Sequence, residues 1–348
     1  MAWGNKTVVT EFVLLGFSSS WEARLLLFML FLFLYTATLF SNLLILLAIS
    51  QDRHLLRSPM FILLGHLAFL DLFLSSFATP RALFDFLTQR QTISFQGCMA
   101  QIFLLHLFGG TEMFLLMAMA YDRYVAICHP LHYASLMSQC HCVGLVLASW
   151  AGGLLHTSVQ LAFTINVSFC GPNHLDSFFC DIPLVIKLAC TDIYLLEIMM
   201  VTNSGILSVV GFITLFVSYG LILSAIHSRA PSEGTSKAIS TCTSHLIVVT
   251  MYFGPCVFIY LRPKTRFTID KVLSVFYTAI TPLLNPAIYA LKNKEMKSAM
   301  GKLLGRYSAK VSSQIPVISA AVVTSWRCKR SSRKGGPGVH SASQLPIA

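Results

Sequence analysis

Charge is what this sequence has least of. Of its 348 residues only 11% are Asp, Glu, Lys or Arg, while 55% are hydrophobic, and the mean hydropathy is +0.70. A soluble globular protein carries about 25% charged residues, so this chain lacks the polar surface to stay in water. Length alone would allow about two soluble domains; the composition argues instead for one polytopic membrane domain. Acids are scarcest, 14 against 25 Lys and Arg, which leaves a net charge of +11. On a soluble protein that excess would point to nucleic acid, but its position excludes that partner. After Leu291 there are eleven Lys or Arg and one acid, Glu295, whereas the body before it has fourteen basic and thirteen acidic residues. The excess is a basic tail, whose first part can lie on anionic lipid headgroups.

Other absences narrow the class. No basic n-region with a cleavage site opens the chain, so its first apolar run is expected to be a retained anchor. The apolar runs do not alternate with period two, which excludes the strands of an outer-membrane barrel. No internal repeat or paired broken helix suggests a secondary transporter, and no ring of charge or filter sequence suggests a channel. A nucleophile with a base in reach is missing too. Ser244 and His245 are adjacent in sequence, and neighbours on a helix point apart.

Seven runs are long enough to cross a bilayer core of about 30 Å, which takes roughly 20 apolar helical residues. They lie near Leu25–Ile49, Pro59–Pro80, Cys98–Ala120, Cys142–Ala162, Leu195–Ile226, Ala238–Leu261 and Val272–Leu291. With the N-terminus outside, the inner segments carry 16 Lys or Arg and the outer ones 9, the sense expected of cytoplasmic loops. Two glycosylation sequons, at Asn5 and Asn166, fall in segments this topology places outside. The expected organisation is an extracellular segment over 1–24, a seven-helix domain over 25–291, an amphipathic helix over 292–304 and a disordered basic tail over 305–348.

Four of ten cysteines, Cys98, Cys170, Cys180 and Cys190, lie on the outer, oxidising side, where disulfides persist. Four cysteines allow three connectivities, and spacing does not choose among them. Cys128, Cys140, Cys142, Cys242 and Cys328 are expected inside and reduced, and Cys256 is expected to be a small packing residue within a span.

Polar residues inside the spans are the candidates for function. Asp71 and Glu112 are intramembrane acids, and Glu197 stands at the outer end of the fifth run. Two carboxylates at one depth repel, so they would share a proton or hold a cation. Leu105, His106, Gly109 and Gly110 share one helical face in the outer half of the third run. The glycines there either leave room for a small molecule or let helices pack closely, and His106 either hydrogen-bonds a ligand or is a satisfied core residue. Asp122-Arg123 ends the third run, as an interfacial ion pair or as a switch. Pro282 and Pro286, with Asn285 between them, free backbone carbonyls in the seventh run.

Met119-Ala120-Tyr121-Asp122-Arg123-Tyr124-Val125-Ala126-Ile127-Cys128, continued by Pro130-Leu131-His132-Tyr133, resembles the signature of the olfactory (odorant) receptors among the rhodopsin-like G-protein-coupled receptors. Pro59-Met60-Phe61, Ser218-Tyr219, the run from Lys237 to His245 and the run from Pro282 to Tyr289 extend the resemblance over about residues 5 to 305. It implies an all-α bundle of seven transmembrane helices in the plasma membrane, of olfactory cilia in particular, and no enzyme. It implies that a small, mostly hydrophobic volatile ligand binds between the outer halves of the third, fifth, sixth and seventh helices, and that a stimulatory G protein then raises cAMP. Matching family pocket positions adds Asn203, Phe253, Val257, Tyr260 and Thr278 to the third-helix residues. No charged side chain is expected to face that pocket, Glu197 at its mouth being the one reservation.

For the switch the resemblance implies Asp122, Arg123, Tyr124, Tyr219, Asn285, Pro286 and Tyr289, with Arg123 held by Asp122 at rest and meeting the G protein when the sixth helix swings out. It pairs Cys98 with Cys180 and Cys170 with Cys190, and suggests sodium as the ion at Asp71 and Glu112, with no other cofactor. A trafficking chaperone is a further expected partner. The family's metal-linked His is replaced here by Ser177 in Ser177-Phe178-Phe179-Cys180-Asp181. Arg57, Ser58, His66 and Ser41 also depart from the family pattern, and the tail runs on past the usual end. Within the receptor class, the alternative is a sensor of a metabolite outside the olfactory tissue.

Overall fold

Long apolar runs fold as helices in this chain because, in lipid, only a helix or a closed barrel satisfies every backbone group. The computed structural model describes residues 9–17, 20–88, 91–169, 173–190, 193–228, 233–262, 269–290 and 293–306, without the side chains of 233–238, 241 and 289–290. Two compact units divide the chain, Met1–Lys297 and Ser298–Ala348.

In the first unit, α1 spans Trp21–Gln51, and the short α2, Arg53–Arg57, turns the chain into α3, Pro59–Thr88. Helix α4 is Phe95–Cys128. A 3-10 turn at Pro130–His132 and α5, Tyr133–Leu136, lead to α6, Gln139–Thr164. The long connection that follows holds α7, Ile182–Val185. The fifth span joins α8, Tyr194–Met200, through a π-turn at Val201–Gly205, to α9, Ile206–His227. The sixth is α10, Glu233–Tyr260. The seventh comprises α11, Ile269–Val275, and α12, Thr281–Asn285, each followed by a π-helical segment, Phe276–Ile280 and Pro286–Ala290.

Six of these segments are long and apolar enough to cross a bilayer by length and composition. The seventh is continuously helical over 269–290, about 33 Å at 1.5 Å per residue. The result is a seven-transmembrane bundle. Several helices overrun their apolar cores, because serines cap them in the flanking polar sequence. Ser20, Ser94 and Ser138 accept hydrogen bonds from the backbone N–H groups of Ala23, Gly97 and His141.

Helix α4 is the hub. In its most apolar stretch 67% of the residues are buried, against 28% in α1. Close approach of α6 to α4 depends on Gly153. A Cβ there would lie 2.1 Å from Thr111 Oγ1 and 2.8 Å from the Thr111 backbone nitrogen.

A three-stranded sheet, not expected from the sequence, covers one end. Strand β1, Glu11–Leu14, pairs antiparallel with β2, Thr92–Ser94, and parallel with β3, His174–Leu175. Phe12 is fully buried, its ring 5.6 Å from Phe169 and 6.2 Å from Phe95. Lys271 ties the same end to the seventh span, donating to the Gly16 carbonyl at 2.9 Å and pairing with Asp176.

A disulfide joins Cys98 to Cys180, with Cα atoms 5.5 Å apart. Cys190 is also disulfide-bonded, and Cys170, its expected partner, lies outside the described residues. Cys128, Cys140, Cys142, Cys242 and Cys256 take part in no disulfide. In the second unit residues 298–306 are helical; Cys328 and the expected basic tail beyond Arg306 lie outside the described residues.

Candidate functional site

A cavity of about 40 Å³ sits among α3, α4, α6, α10, the π-turn of the fifth span and the π-segment of the seventh. Six of the residues expected to bind ligand line it: Leu105, His106, Gly109, Gly110, Tyr260 and Thr278. Asn203, Phe253 and Val257 do not. Tyr252, Cys256 and Tyr260 stand at i, i+4 and i+8 of α10 and define its cavity face; residues 253 and 257 are one position on, turned by about 100°. Phe253 is fully buried against the fifth span, where a Cβ at Gly211 would lie 2.6 Å from its ring. Asn203 spends its amide on the His156 carbonyl, 2.9 Å away. Of the five residues carried over by family position, Tyr260 and Thr278 reach the cavity wall.

The expectation that no charged side chain faces the pocket is overturned by Asp181. The Cys98–Cys180 bridge pins its loop to α4, and Cys180 N donates to Gln101 Oε1 at 2.8 Å, which fixes the loop's depth. Asp181 Oδ1 accepts from Ile182 N at 2.8 Å and from the Tyr260 hydroxyl at 3.1 Å, and His106 Nε2 lies 3.3 Å away. Three donors thus hold a carboxylate that is 4% exposed. The signal lay in the sequence, since Asp181 directly follows the bridged cysteine. His156 was missed as well, although an ionisable group in the middle of a span was itself the cue.

The glycines of α4 serve packing as well as space. A Cβ at Gly109 would lie 3.2 Å from the Tyr252 hydroxyl, which donates to the Gly109 carbonyl at 2.8 Å. One at Gly110 would lie 3.0 Å from the His156 ring. Cys256, expected only to pack, also borders the cavity. Glu197 is buried but does not line it.

Deeper in the bundle, Asn285 joins the two acids. Its Nδ2 donates to Asp71 Oδ1 at 2.9 Å, Asp71 Oδ2 at 3.1 Å and Glu112 Oε1 at 3.1 Å. Both carboxylates are fully buried, and Glu112 Oε2 has no hydrogen-bond partner among the described residues. Beside them, Pro286 cannot donate to the carbonyl of residue 282, four positions back. Asn42 of α1 does so instead, at 2.9 Å.

At the far end of α4, Arg123 Nε donates to Asp122 Oδ2 at 2.9 Å, and an Nη group makes a second contact to the same oxygen. The Tyr133 hydroxyl donates to Asp122 Oδ1 at 2.8 Å. Burial first, and then the Asp122 carboxylate, raises the pKa of that phenol. Tyr124 lies 3.4 Å from His129 Nε2, and Tyr219, buried on α9, lies 2.9 Å from His245 Nδ1 on α10. The side chain of Tyr289 is outside the described residues. Asn166 is exposed, and Asn5 lies outside the described residues.

A seven-helix bundle with a cavity at one end of its central helix and a clamped arginine at the other is a membrane receptor. Residues 31–306 match the family model described as olfactory receptor. Over 303 residues the chain is 56% identical to Olfactory receptor 4K3 of Homo sapiens, covering 87% of this chain and 96% of that relative. It is 57% identical over 302 residues to Olfactory receptor 4K14 of Homo sapiens, covering 87% and 97%. The chain belongs to the olfactory receptor family. It is a multi-pass protein of the plasma membrane and not an enzyme.

Proposed function

We propose that this odorant receptor takes small, mostly hydrophobic volatile ligands in the cavity bordered by His106, Tyr260 and Thr278, and couples to a stimulatory G protein that raises cAMP. One observation carries the reading: α4 holds both ends of the device. His106 borders the cavity, and Arg123, seventeen residues on and about 25 Å away, is clamped by Asp122. Helix α10 repeats the arrangement, with Tyr260 at the cavity and His245 against Tyr219.

A ligand acts only through its different affinity for the two arrangements of the bundle. Filling a cavity of about 40 Å³ moves its walls, which include α10. Outward motion of α10 would part His245 from Tyr219 and open the inner face, where Arg123 exchanges Asp122 for the G protein. In this topology β1 and the Cys180 loop lie outside and Tyr133 inside.

Asp71 and Glu112 fit a monovalent cation. Two buried carboxylates share one amide donor, and one carboxylate oxygen has no other partner among the described residues. A sodium ion held by them would supply the positive charge that neighbouring carboxylates need in a low-dielectric site.

The test is a panel of volatile compounds applied to surface-labelled cells that carry the receptor and an olfactory-type stimulatory G protein. Dose-dependent cAMP is the expected result. Solute flux that persists without the G protein would overturn the assignment in favour of a transporter.

A further inference from the structure

The ring of His156 borders the cavity, is 7% exposed, and has an Nδ1 with no hydrogen-bond partner among the described residues. Its neighbours do not supply one. Asn203 donates its amide to the backbone carbonyl of His156 at 2.9 Å. His106 stands with its ring centroid 5.8 Å away, and its Nε2 is engaged with Asp181. A buried ring nitrogen without a hydrogen-bond partner costs free energy comparable to a lost hydrogen bond.

The local sequence is arranged to admit this ring. Gly153 lets α6 approach α4, and glycine at 110 leaves the space the imidazole fills, since a Cβ there would lie 3.0 Å from His156 Cδ2. A half-turn of the ring about its Cβ–Cγ bond exchanges Cδ2 with Nδ1. The nitrogen then faces Gly110, itself a cavity residue.

Resting on the receptor reading above, we propose that His156 is the polar anchor for ligand and that the ligand class is a small alcohol, one hydroxyl on an apolar body. A neutral imidazole carries one N–H and one lone pair. A hydroxyl both donates and accepts, so it satisfies the free nitrogen in either tautomer. A ketone or ether satisfies only the N–H form, and a hydrocarbon satisfies neither. An amine is disfavoured because the one carboxylate in the cavity, Asp181, already has three donors. The apolar body would meet Leu74, Leu105, Met113 and Phe179.

The test uses the full-length receptor, surface-labelled, with a cAMP reporter and sets of an alcohol, its methyl ether, its ketone and its parent hydrocarbon on the same skeletons. The active skeleton is expected to be at least tenfold more potent as the alcohol than as the ether or ketone. His156→Phe is expected to lose that tenfold preference while the ether response stays, and His156→Gln, which keeps a donor and an acceptor, to retain part of it. Equal potency of alcohol and ether on the unmodified receptor overturns the proposal, and so does an unchanged alcohol preference in His156→Phe. If ketones or hydrocarbons raise cAMP with no alcohol preference, this assignment falls and the receptor reading stands. A surface-expressed receptor that answers no compound contradicts both. Should His156→Phe fail to reach the surface, the selectivity of the unmodified receptor and of His156→Gln decides.

Discussion

Tyr133 and Asp122 are joined by a hydrogen bond of 2.8 Å, so the carboxylate that clamps Arg123 is itself held from the short helix beyond α4. One Asp122 oxygen faces the arginine and the other the tyrosine. Tyr133→Phe removes the second restraint and leaves the first. A hydrogen bond to a charged group is worth about 1.5–3 kcal/mol, less where solvent reaches it, so about 1 kcal/mol is at stake. The resting state should weaken by about fivefold. Basal cAMP from Tyr133→Phe, normalised to surface receptor, is expected to rise by that order. An unchanged basal level would show that Tyr133 does not restrain the switch.

Asn42 answers a defect that Pro286 creates. The Pro282 carbonyl has lost its helical donor, and the Asn42 amide replaces it at 2.9 Å. Asn42→Ala should strand that carbonyl within the bilayer at a cost of about 1–3 kcal/mol. Surface receptor measured by flow cytometry should fall several-fold. Equal surface levels would mean that another group takes over the carbonyl.

The same residues show how far the sequence could be read. The seven spans were legible because lipid leaves the backbone no alternative to a helix of known length, and Pro282 and Pro286 announced freed carbonyls. Which residue would satisfy them was not legible, since Asn42 lies 240 positions away. The β1–β2–β3 sheet was hidden for the same reason, its strands being two to four residues long and paired across the chain. Within the site, residues read from helical spacing on α4 fell on the cavity. Of the residues transferred by family position, Tyr260 and Thr278 line the cavity, while Phe253 and Val257 stand one step of helical rotation away from it. Asp181 entered through the disulfide, a constraint that no periodicity reports.

Gly153 and Gly144 stand on the same helix in opposite settings. A Cβ at 153 would run into Thr111, whereas one at 144 meets nothing within 4 Å. Gly153→Ala is expected to force α6 away from α4, at about 1–3 kcal/mol, and to lower surface expression. Gly144→Ala should leave it unchanged. Equal behaviour of the two variants in a thermal-stability assay on detergent-solubilised receptor would contradict this packing.

Asp71 and Glu112 share the Asn285 amide, and the pair is the proposed sodium site. Asp71→Asn removes one of the two charges that would hold the ion. The unmodified receptor should shift its ligand dose–response when external sodium is exchanged for an organic cation, and Asp71→Asn should not. A sodium dependence that survives the substitution would place the ion elsewhere.

The most direct measurement is on Arg123, the group that Asp122 clamps and that the G protein is proposed to engage. Arg123→Ala should reach the surface at the level of the unmodified receptor, because among the described residues the hydrogen bonds and ion pair of Arg123 go to its own helix neighbour Asp122. Its ligand-evoked cAMP should fall to background. Undiminished cAMP signalling from surface-matched Arg123→Ala would contradict the assignment of this chain as a receptor that signals through the arginine at the end of α4.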